Sequence, residues 1–307
     1  MKKIILLLII CILPFSIFNI INAQLVYNSA FALGLNINDQ GYSITADASG
    51  NYYTTGFHGY WMDANPLGTP YYIYNNGGQD FYVAKYNPAG IMQWAFNLGG
   101  IGDDAALKIK LDVNNNVYVA GRFKDTVDFN PGAVTASYIS NGGYDIFLAK
   151  YDNNGIFQWA NTIGDSLNEQ GWDIAIDAVA NNVIITGGYT SHHIDMDPGT
   201  GTHIINNNGN ASFNTGNCFV AGYSKSNGAY QWAFNIGGFG GTTGYRVTTD
   251  NTGKVYVGGT VSGDSTDFDP GIGTNMIYCT SGTYKVFLAK YNSSQTPLWV
   301  NGFGGNG

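Results

Sequence analysis

Charged residues are scarce in this chain of 307 residues. Lys and Arg number 13 and Asp and Glu 21, so that charged side chains make up 11% of the sequence and the formal net charge is −8. This shortage of basic residues argues against a surface that neutralises nucleic-acid phosphates. Hydrophobic residues make up 44%, which argues against disorder, because disordered chains combine low hydrophobicity with high net charge. We therefore expect a folded chain with an acidic surface and no nucleic-acid partner.

Long apolar runs are also missing, apart from one at the N-terminus. Two lysines precede the apolar stretch 4–13, and small residues follow near Ala23. This is the pattern of a secretory signal peptide. A transmembrane anchor is the alternative, but Pro14 and two polar residues interrupt the run and leave it short for a bilayer span. The sequence predicts a signal peptide over 1–23 and a mature chain over 24–307 that is secreted or displayed at the cell surface, without membrane insertion.

Cysteine is rare, with three residues in the chain. Cys11 lies in the predicted signal peptide, which leaves Cys218 and Cys279 in the mature chain. Export would place these two residues in an oxidising compartment, where disulfides form. They fall at different points of the repeat described below, so the sequence allows either a disulfide between them or a pair of buried free thiols.

Common enzyme signatures are absent: the sequence contains no G-x-S-x-G, no H-E-x-x-H and no phosphate-binding P-loop. His192 and His193 stand just before Asp195 and Asp197, and imidazoles with carboxylates are zinc ligands. Adjacent histidines point in different directions, however, and a hydrophilic loop is the plainer interpretation. We predict no catalytic residues and no cofactor, with calcium considered separately below.

What the chain does contain is an internal repeat. Four tryptophans, each near the end of a similar phrase, are spaced by 65, 73 and 67 residues: Trp94, Trp159, Trp232 and Trp299. Each phrase ends a unit of four short segments in which polar and apolar residues alternate, bounded by Gly, Asn and Asp. This pattern is typical of antiparallel strands joined by tight turns. The units cover about 42–100, 105–164, 172–238 and 244–305, and a strand of the fourth type precedes them at 24–35.

Units of four antiparallel strands at this spacing are typical of β-propeller blades. The sequence therefore predicts an all-β chain of four-stranded antiparallel blades; a β-solenoid, which normally uses shorter coils, is the alternative. We expect the four tryptophans to pack between neighbouring blades, because an indole buries on the order of 200 Å². Stacking of these rings on a sugar is the alternative role.

Three phrases carry a resemblance to a known family. "DIFLAKYDNNGIFQWANTIG", "DVNNNVYVAGRF" and "TVDFNPG" resemble the bacterial seven-bladed β-propeller repeat, which is found in secreted and surface proteins, many of them of Bacteroidetes type. The resemblance covers nearly the whole mature chain and implies a secreted, non-enzymatic propeller. It supplies no catalytic residues. Only four blades are present, and the strand at 24–35 is one too many for a closed ring of four. This predicts an incomplete ring and a chain that is part of a longer protein; a four-blade ring with one displaced strand is the alternative.

A second recurring motif, Asp-x-Asn/Asp-Pro, lies in the long connection between the second and third strands of each unit. Its residues are Asp63 and Asn65, Asp128 and Asn130, Asp195 and Asp197, and Asp267 and Asp269. Side-chain oxygens two residues apart can bind a hard cation such as Ca²⁺. Asp and Asn before Pro also form turns by bonding their own backbone. A structural Ca²⁺ site and a plain turn both stay open, and the turn needs no added ligand.

These observations favour a secreted or cell-surface propeller that acts as a non-catalytic binding or adhesion module. Its expected partner is an extracellular protein or glycan, which would meet the face that carries the long connections. A polysaccharide-active enzyme is one alternative, and it predicts carboxylates with shifted pKa values near the propeller axis. A structural spacer without a specific ligand is the other.

Overall fold

The structure, a computed structural model, describes residues 33, 39–207, 216–280 and 282–304. The predicted signal peptide (1–23) and, apart from Leu33, the predicted N-terminal strand (24–35) lie outside these residues. Every regular element in the described part of the chain is a β-strand. None of the described segments is a helix that could span a membrane.

The first two units each contain four long strands and one short hairpin. The first comprises β1 (Gln40–Ala46), β2 (Tyr52–His58), β3 (Trp61–Asp63), β4 (Tyr72–Tyr74), β5 (Asp80–Tyr86) and β6 (Met92–Leu98). The second comprises β7 (Ala105–Leu111), β8 (Val117–Phe123), β9 (Thr126–Asp128), β10 (Ser137–Ile139), β11 (Asp145–Tyr151) and β12 (Phe157–Ile163). The long strands pair antiparallel in chain order, β1-β2-β5-β6 and β7-β8-β11-β12. We call each set of four long strands a blade and number the blades along the chain.

Blades 3 and 4 repeat this arrangement. Blade 3 and its hairpin comprise β13 (Glu169–Asp177), β14 (Asn182–Tyr189), β15 (His193–Asp195), β16 (Ile204–Asn206), β17 (Asn217–Ser224) and β18 (Tyr230–Gly238). Blade 4 and its hairpin comprise β19 (Thr242–Thr249), β20 (Val255–Ser262), β21 (Ser265–Asp267), β22 (Met276–Tyr278), β23 (Tyr284–Tyr291) and β24 (Pro297–Phe303). The predicted all-β fold of four-stranded antiparallel blades is therefore confirmed.

A bulge in the first strand of every blade explains a recurring glycine. The register of the first pair shifts between Gly41 and Ser43 in blade 1 and at the equivalent place in blades 2, 3 and 4. Opposite the bulge, a Cβ on the second strand would overlap a carbonyl oxygen of the first strand; the glycines concerned are Gly56, Gly121, Gly187 and Gly259. Gly258, the neighbour of Gly259, has no such contact with the first strand. The close approach of two backbones thus requires glycine here.

The blades pack face to face, and the core lies between them. We call the face turned to the next blade the forward face and the opposite one the backward face. In β11, Ile146 and Leu148 point forward into a cluster shared with blade 3. Phe147, Ala149 and Tyr151 point backward into a cluster shared with blade 1. A third cluster joins blades 3 and 4. β11 is therefore apolar on both faces, which is the expected pattern for a strand whose sheet is covered on both sides.

Trp94 and Trp159 lie between blades. Trp94 Nε1 donates to the carbonyl oxygen of Asn153 at 3.1 Å, in the turn between β11 and β12 of blade 2. A Cβ on Gly155 of that turn would lie 3.1 Å from the Trp94 ring, so the glycine packs flat on the indole. Trp159 makes the same contacts with the turn of blade 3. Trp232 packs against the cluster that joins blades 3 and 4 and also lies over Gly222 of its own blade.

The forward face of blade 4 differs from the other three because it is exposed. Val286, Leu288 and Phe303 are 52%, 45% and 52% exposed, and Trp299 is 39% exposed. The equivalent residues of blade 2, for comparison, are all buried: Ile146, Leu148, Ile163 and Trp159. On the backward face of blade 1, Ile44 is 68% exposed, whereas its equivalents in the other blades are buried. Within the described chain, blade 1 therefore does not cover the forward face of blade 4, and blade 4 does not cover Ile44 on the backward face of blade 1.

Candidate functional site

Each blade sends out its hairpin between the second and third strands, and a tyrosine anchors the hairpin to the blade. The tyrosine is the last or next-to-last residue of the third strand, and its hydroxyl donates to a backbone carbonyl after the hairpin's first strand. The four bonds are Tyr86 to Ala64 (2.8 Å), Tyr151 to Phe129 (2.9 Å), Tyr223 to Met196 (2.8 Å) and Tyr291 to Phe268 (3.0 Å). A buried hydroxyl needs such a partner. The hairpins are therefore held in the same place on every blade.

The Asp-x-Asn/Asp-Pro motif forms the loop of each hairpin. In every copy, Oδ1 of the first Asp accepts two backbone N–H groups, one from the residue two positions on and one from the residue eight positions on. The acceptors are Asp63, Asp128, Asp195 and Asp267, at 2.8 to 3.0 Å. The second residue also accepts an N–H in three copies, at Asn130, Asp197 and Asp269.

These bonds give the motif a structural role as a turn that closes the hairpin. They engage Oδ1 of each first Asp and leave Oδ2 available, so the Ca²⁺ hypothesis stays a prediction. Among the described residues there is no group of three or more His, Cys, Asp or Glu side chains arranged to hold a metal. His193 faces Asp165, with Nε2 3.4 Å from Oδ2, and His192 is exposed. Cys218 and Cys279 are both buried free thiols.

An open cleft of about 430 Å³ lies between the hairpins of blades 3 and 4. One wall is β16 with His203, the floor is β18 from Ala233 to Gly237, and the other wall is the loop from Asp267 to Gly271. We call this space the hairpin cleft. It brings together Asp267 and Asp269, which the sequence singled out, and His203, which the sequence analysis did not single out.

Hydrogen bonds and ring packing fix the side chains that line the hairpin cleft. His203 Nε2 lies 3.1 Å from the carbonyl oxygen of Ala233, and its ring packs against Tyr230 with 5.0 Å between ring centroids. Asn235 Oδ1 accepts from the Tyr189 hydroxyl at 3.0 Å, which leaves the Asn235 Nδ2 group as a donor. Asp267 and Asp269 are half-buried. None of the described residues that line the cleft is Lys or Arg, and Asp267 and Asp269 give this lining a negative formal charge.

Buried acids lie elsewhere, where one blade meets the next. Asp80 and Asp145 begin the third strands of blades 1 and 2, and Asp104 and Glu169 stand at or just before the first strands of the blades that follow. Burial raises the pKa of Asp80 to about 6 and the pKa values of Asp104 and Asp145 to about 7. Burial also raises the pKa of Glu169.

These shifted carboxyls are at most 1% exposed, so a substrate cannot reach them as a polysaccharide enzyme would require. Asp104 accepts backbone N–H groups from Gly100 and Lys124, which ties the start of blade 2 to neighbouring loops. Between blades 3 and 4 the corresponding residues are the neutral pair Asn217 and Thr242. The shifted pKa values therefore belong to the interfaces between blades.

Lysine side chains join consecutive blades near the short turns. Lys85 Nζ of blade 1 donates to Asn153 of blade 2, 2.5 Å from Oδ1 and 3.2 Å from the carbonyl oxygen. Tyr53 also donates to Asn153 Oδ1, at 2.7 Å. Lys150 makes the equivalent contact with the carbonyl oxygen of Lys225 at 2.7 Å. These buried polar contacts orient one blade on the next.

The four-stranded blades, their face-to-face packing and the repeated hairpins define a β-propeller repeat protein, a class that provides binding or scaffold modules. No family model matches the chain. It is 28% identical to an uncharacterized WD repeat-containing protein of Acanthamoeba polyphaga mimivirus over 225 residues, 67% of this chain and 16% of that protein. It is also 28% identical to the regulatory protein FlaEY of Caulobacter vibrioides over 102 residues, 32% of this chain and 10% of that protein.

The chain spans only about a sixth of the viral relative and a tenth of the bacterial one. WD repeats form four-stranded propeller blades, so the first similarity supports a β-propeller-type repeat. The sequence did not predict the place of His203 in the cleft, because its neighbours Ala233 and Asp267 lie 30 and 64 residues further along. One signal was available: His203 lies eight residues after Asp195, at the end of the predicted turn.

Proposed function

We propose that the protein is a secreted or cell-surface, non-catalytic binding module whose hairpin side recognises an extracellular glycan or protein. The observation that carries this proposal is the hairpin cleft, an open polar cavity within the 300 to 1,000 Å³ range typical of ligand sites. Its walls are loops closed by internal hydrogen bonds, and such pre-organisation lowers the cost of binding.

The test is a glycan array probed with the purified chain, with and without Ca²⁺, followed by incubation of each bound glycan and analysis for cleavage products. We expect saturable binding without product. Release of product would replace the binding module with an enzyme. Absence of binding to glycans and to extracellular-matrix proteins would favour the structural spacer instead.

Export is tested separately. Expression of the full chain with a C-terminal tag in a bacterial host should yield extracytoplasmic protein whose N-terminus follows Ala23. A tagged chain that stays in the cytoplasm with residues 1–23 attached would contradict the predicted signal peptide.

A further inference from the structure

We propose that the outward side of the first hairpin, β3 with β4, is a stacking platform for an uncharged, β-linked chain of pyranose sugars. This assignment rests on the proposed binding function and adds a second site, apart from the hairpin cleft. Trp61 of β3 pairs with Tyr74 of β4, and Asp63 pairs with Tyr72. Because alternate residues of a strand point to opposite sides, these four side chains share one side of the hairpin, which we call the aromatic hairpin face.

The rings of the aromatic hairpin face touch each other and meet solvent. The centroids of the Trp61 and Tyr72 rings lie 4.9 Å apart, with 90° between the ring planes. Tyr72 and Tyr74 are 44% and 62% exposed. Tyr60 and Tyr71, the residues just before the two strands, are also exposed. One short hairpin therefore offers several aromatic rings to solvent.

The fold does not require rings at these positions. The hairpins of blades 2, 3 and 4 have the same strand pairing, and of their residues equivalent to Trp61, Tyr72 and Tyr74 only one carries a benzene ring. In that order the equivalents are Thr126, Ser137 and Ile139 in blade 2, His193, Ile204 and Asn206 in blade 3, and Ser265, Met276 and Tyr278 in blade 4.

The residues that attach the first hairpin to its blade point the other way. Met62 and Ile73 alternate with the exposed rings and are buried against blade 1. Packing of the hairpin therefore accounts for these inward residues and leaves the rings of the outward face without a role in the fold.

A further blade beside blade 1 would leave the aromatic hairpin face open. The hairpins of blades 2, 3 and 4 each follow another blade, yet outward residues of all three remain exposed, among them Ile139, Ile204 and Tyr278. Exposure is thus a property of the outward side of these hairpins.

The size of the face favours a sugar chain over a protein partner. Strands of three residues at about 3.4 Å per residue give a face about 10 Å long. A stable protein interface buries about 800 Å² on each partner, which is far more than this hairpin can supply. A short run of sugar rings fits a surface of this length.

Charge and chemistry favour an uncharged, β-linked sugar. Asp63 is the one charged residue of the aromatic hairpin face, and its Oδ1 already accepts the backbone N–H groups of Asn65 and Tyr71. A β-1,4-linked glucose chain is flat and presents axial C–H groups, which pack on aromatic rings. Its equatorial hydroxyls can bond to tyrosine hydroxyls, which both donate and accept.

The experiment titrates cellohexaose, an uncharged β-1,4-linked glucose hexamer, into the purified full chain by calorimetry. We expect saturable binding that is unchanged by EDTA. Maltohexaose has the same composition but α-1,4 linkages that curl the chain, so we expect it to bind at least about fivefold more weakly. No saturable binding of cellohexaose, or equal affinity for the two hexamers, would overturn the assignment.

The test variant is the double substitution Trp61→Thr with Tyr72→Ser, which installs the residues that blade 2 carries at these positions. It should melt near the wild-type temperature and bind cellohexaose about tenfold more weakly. The matched control is Tyr278→Asn, which removes a lone ring from the hairpin of blade 4 and installs the blade 3 residue. Equal losses in both would refute the site. Should the double variant unfold, Tyr74→Ile provides the same comparison with a single exposed change.

Two outcomes separate this inference from the proposed function. Glycan binding that survives the double variant but is lost in Asp267→Asn, in the hairpin cleft, would refute the aromatic hairpin face and leave the proposed function intact. Binding of an extracellular-matrix protein, without binding of cellohexaose, that is lost in the double variant would replace the sugar with a protein partner.

Discussion

Replacing Leu148 and Leu288 by alanine, one at a time, compares the same repeat position in two environments. Both residues lie on the forward face of the third strand, two positions before a lysine. Leu148 is fully buried under blade 3, whereas Leu288 on blade 4 is 45% exposed. The sequence context is closely matched, so a difference in cost reports on coverage by the neighbouring blade.

The expected costs differ several-fold. Leu148→Ala removes a buried side chain from a packed cluster and leaves a cavity, which typically costs about 3 to 5 kcal/mol. Leu288→Ala removes a side chain that is nearly half in water, so we expect a cost of about 0.5 to 1 kcal/mol.

The assay is urea unfolding followed by tryptophan fluorescence and circular dichroism. Because repeat arrays need not unfold in one step, the free energy of unfolding is compared only if both probes give one transition with an unchanged m-value. If the transitions separate, amide hydrogen exchange in β11 and β23 measures the local free energy instead. Costs that agree within about 0.5 kcal/mol would refute the view that packing between blades stabilises this fold.

Three other changes test single contacts. Burial raises the pKa of Asp145 from its ordinary value of 3.8 to about 7 in the folded protein, so its contribution to stability is fully present below about pH 4 and is lost as pH rises to 7. Asp145→Asn should flatten that decline in the free energy of unfolding, which amounts to about 2 to 4 kcal/mol. Urea unfolding from pH 4 to 8 measures it. Lys85→Met should cost about 1 to 2 kcal/mol by removing the bonds to blade 2, whereas Lys290→Met removes contacts with Asp250 and Tyr256 of its own blade and should change the melting temperature little; equal shifts would contradict the role in blade contact. Gly155→Ala should lower stability by more than Gly282→Ala, because both have φ near +80° but only Gly155 meets an indole, a comparison made by thermal melting.

The elements that depend on local pattern were predictable from the sequence. Alternating apolar residues gave the blades, and in β11 the phrase DIFLAKY forms the strand Asp145–Tyr151. For the Asp-x-Asn/Asp-Pro loops, the sequence allowed either a Ca²⁺ site or a turn. In the structure, Oδ1 of Asp128 accepts two backbone N–H groups that close the turn. Such short-range hydrogen bonds follow from a few consecutive residues.

Contacts between blades were not predictable. The raised pKa of Asp104 depends on burial and on Asp80, a residue in another blade. The hairpin cleft requires His203 and Asp267 to face each other across β18, which no periodicity in a single sequence specifies. The sequence predicted that Trp94 packs between blades but not that Lys85 shares its acceptor in the next turn.

The hairpin of blade 4 has a practical consequence for anyone who shortens this array. Its strand β21 pairs with β18 at Gly237 and Gly238, so the sheet of blade 3 continues into the hairpin of the next unit. This pairing shields the last two residues of the β18 edge from pairing with another chain, a risk that edge strands carry. A truncation made at the end of blade 3 would strip that shield and favour aggregation, whereas one made after β22 would retain it. At this junction the sheet therefore crosses the boundary of the sequence repeat, whereas the hairpins β3-β4, β9-β10 and β15-β16 form separate two-stranded sheets.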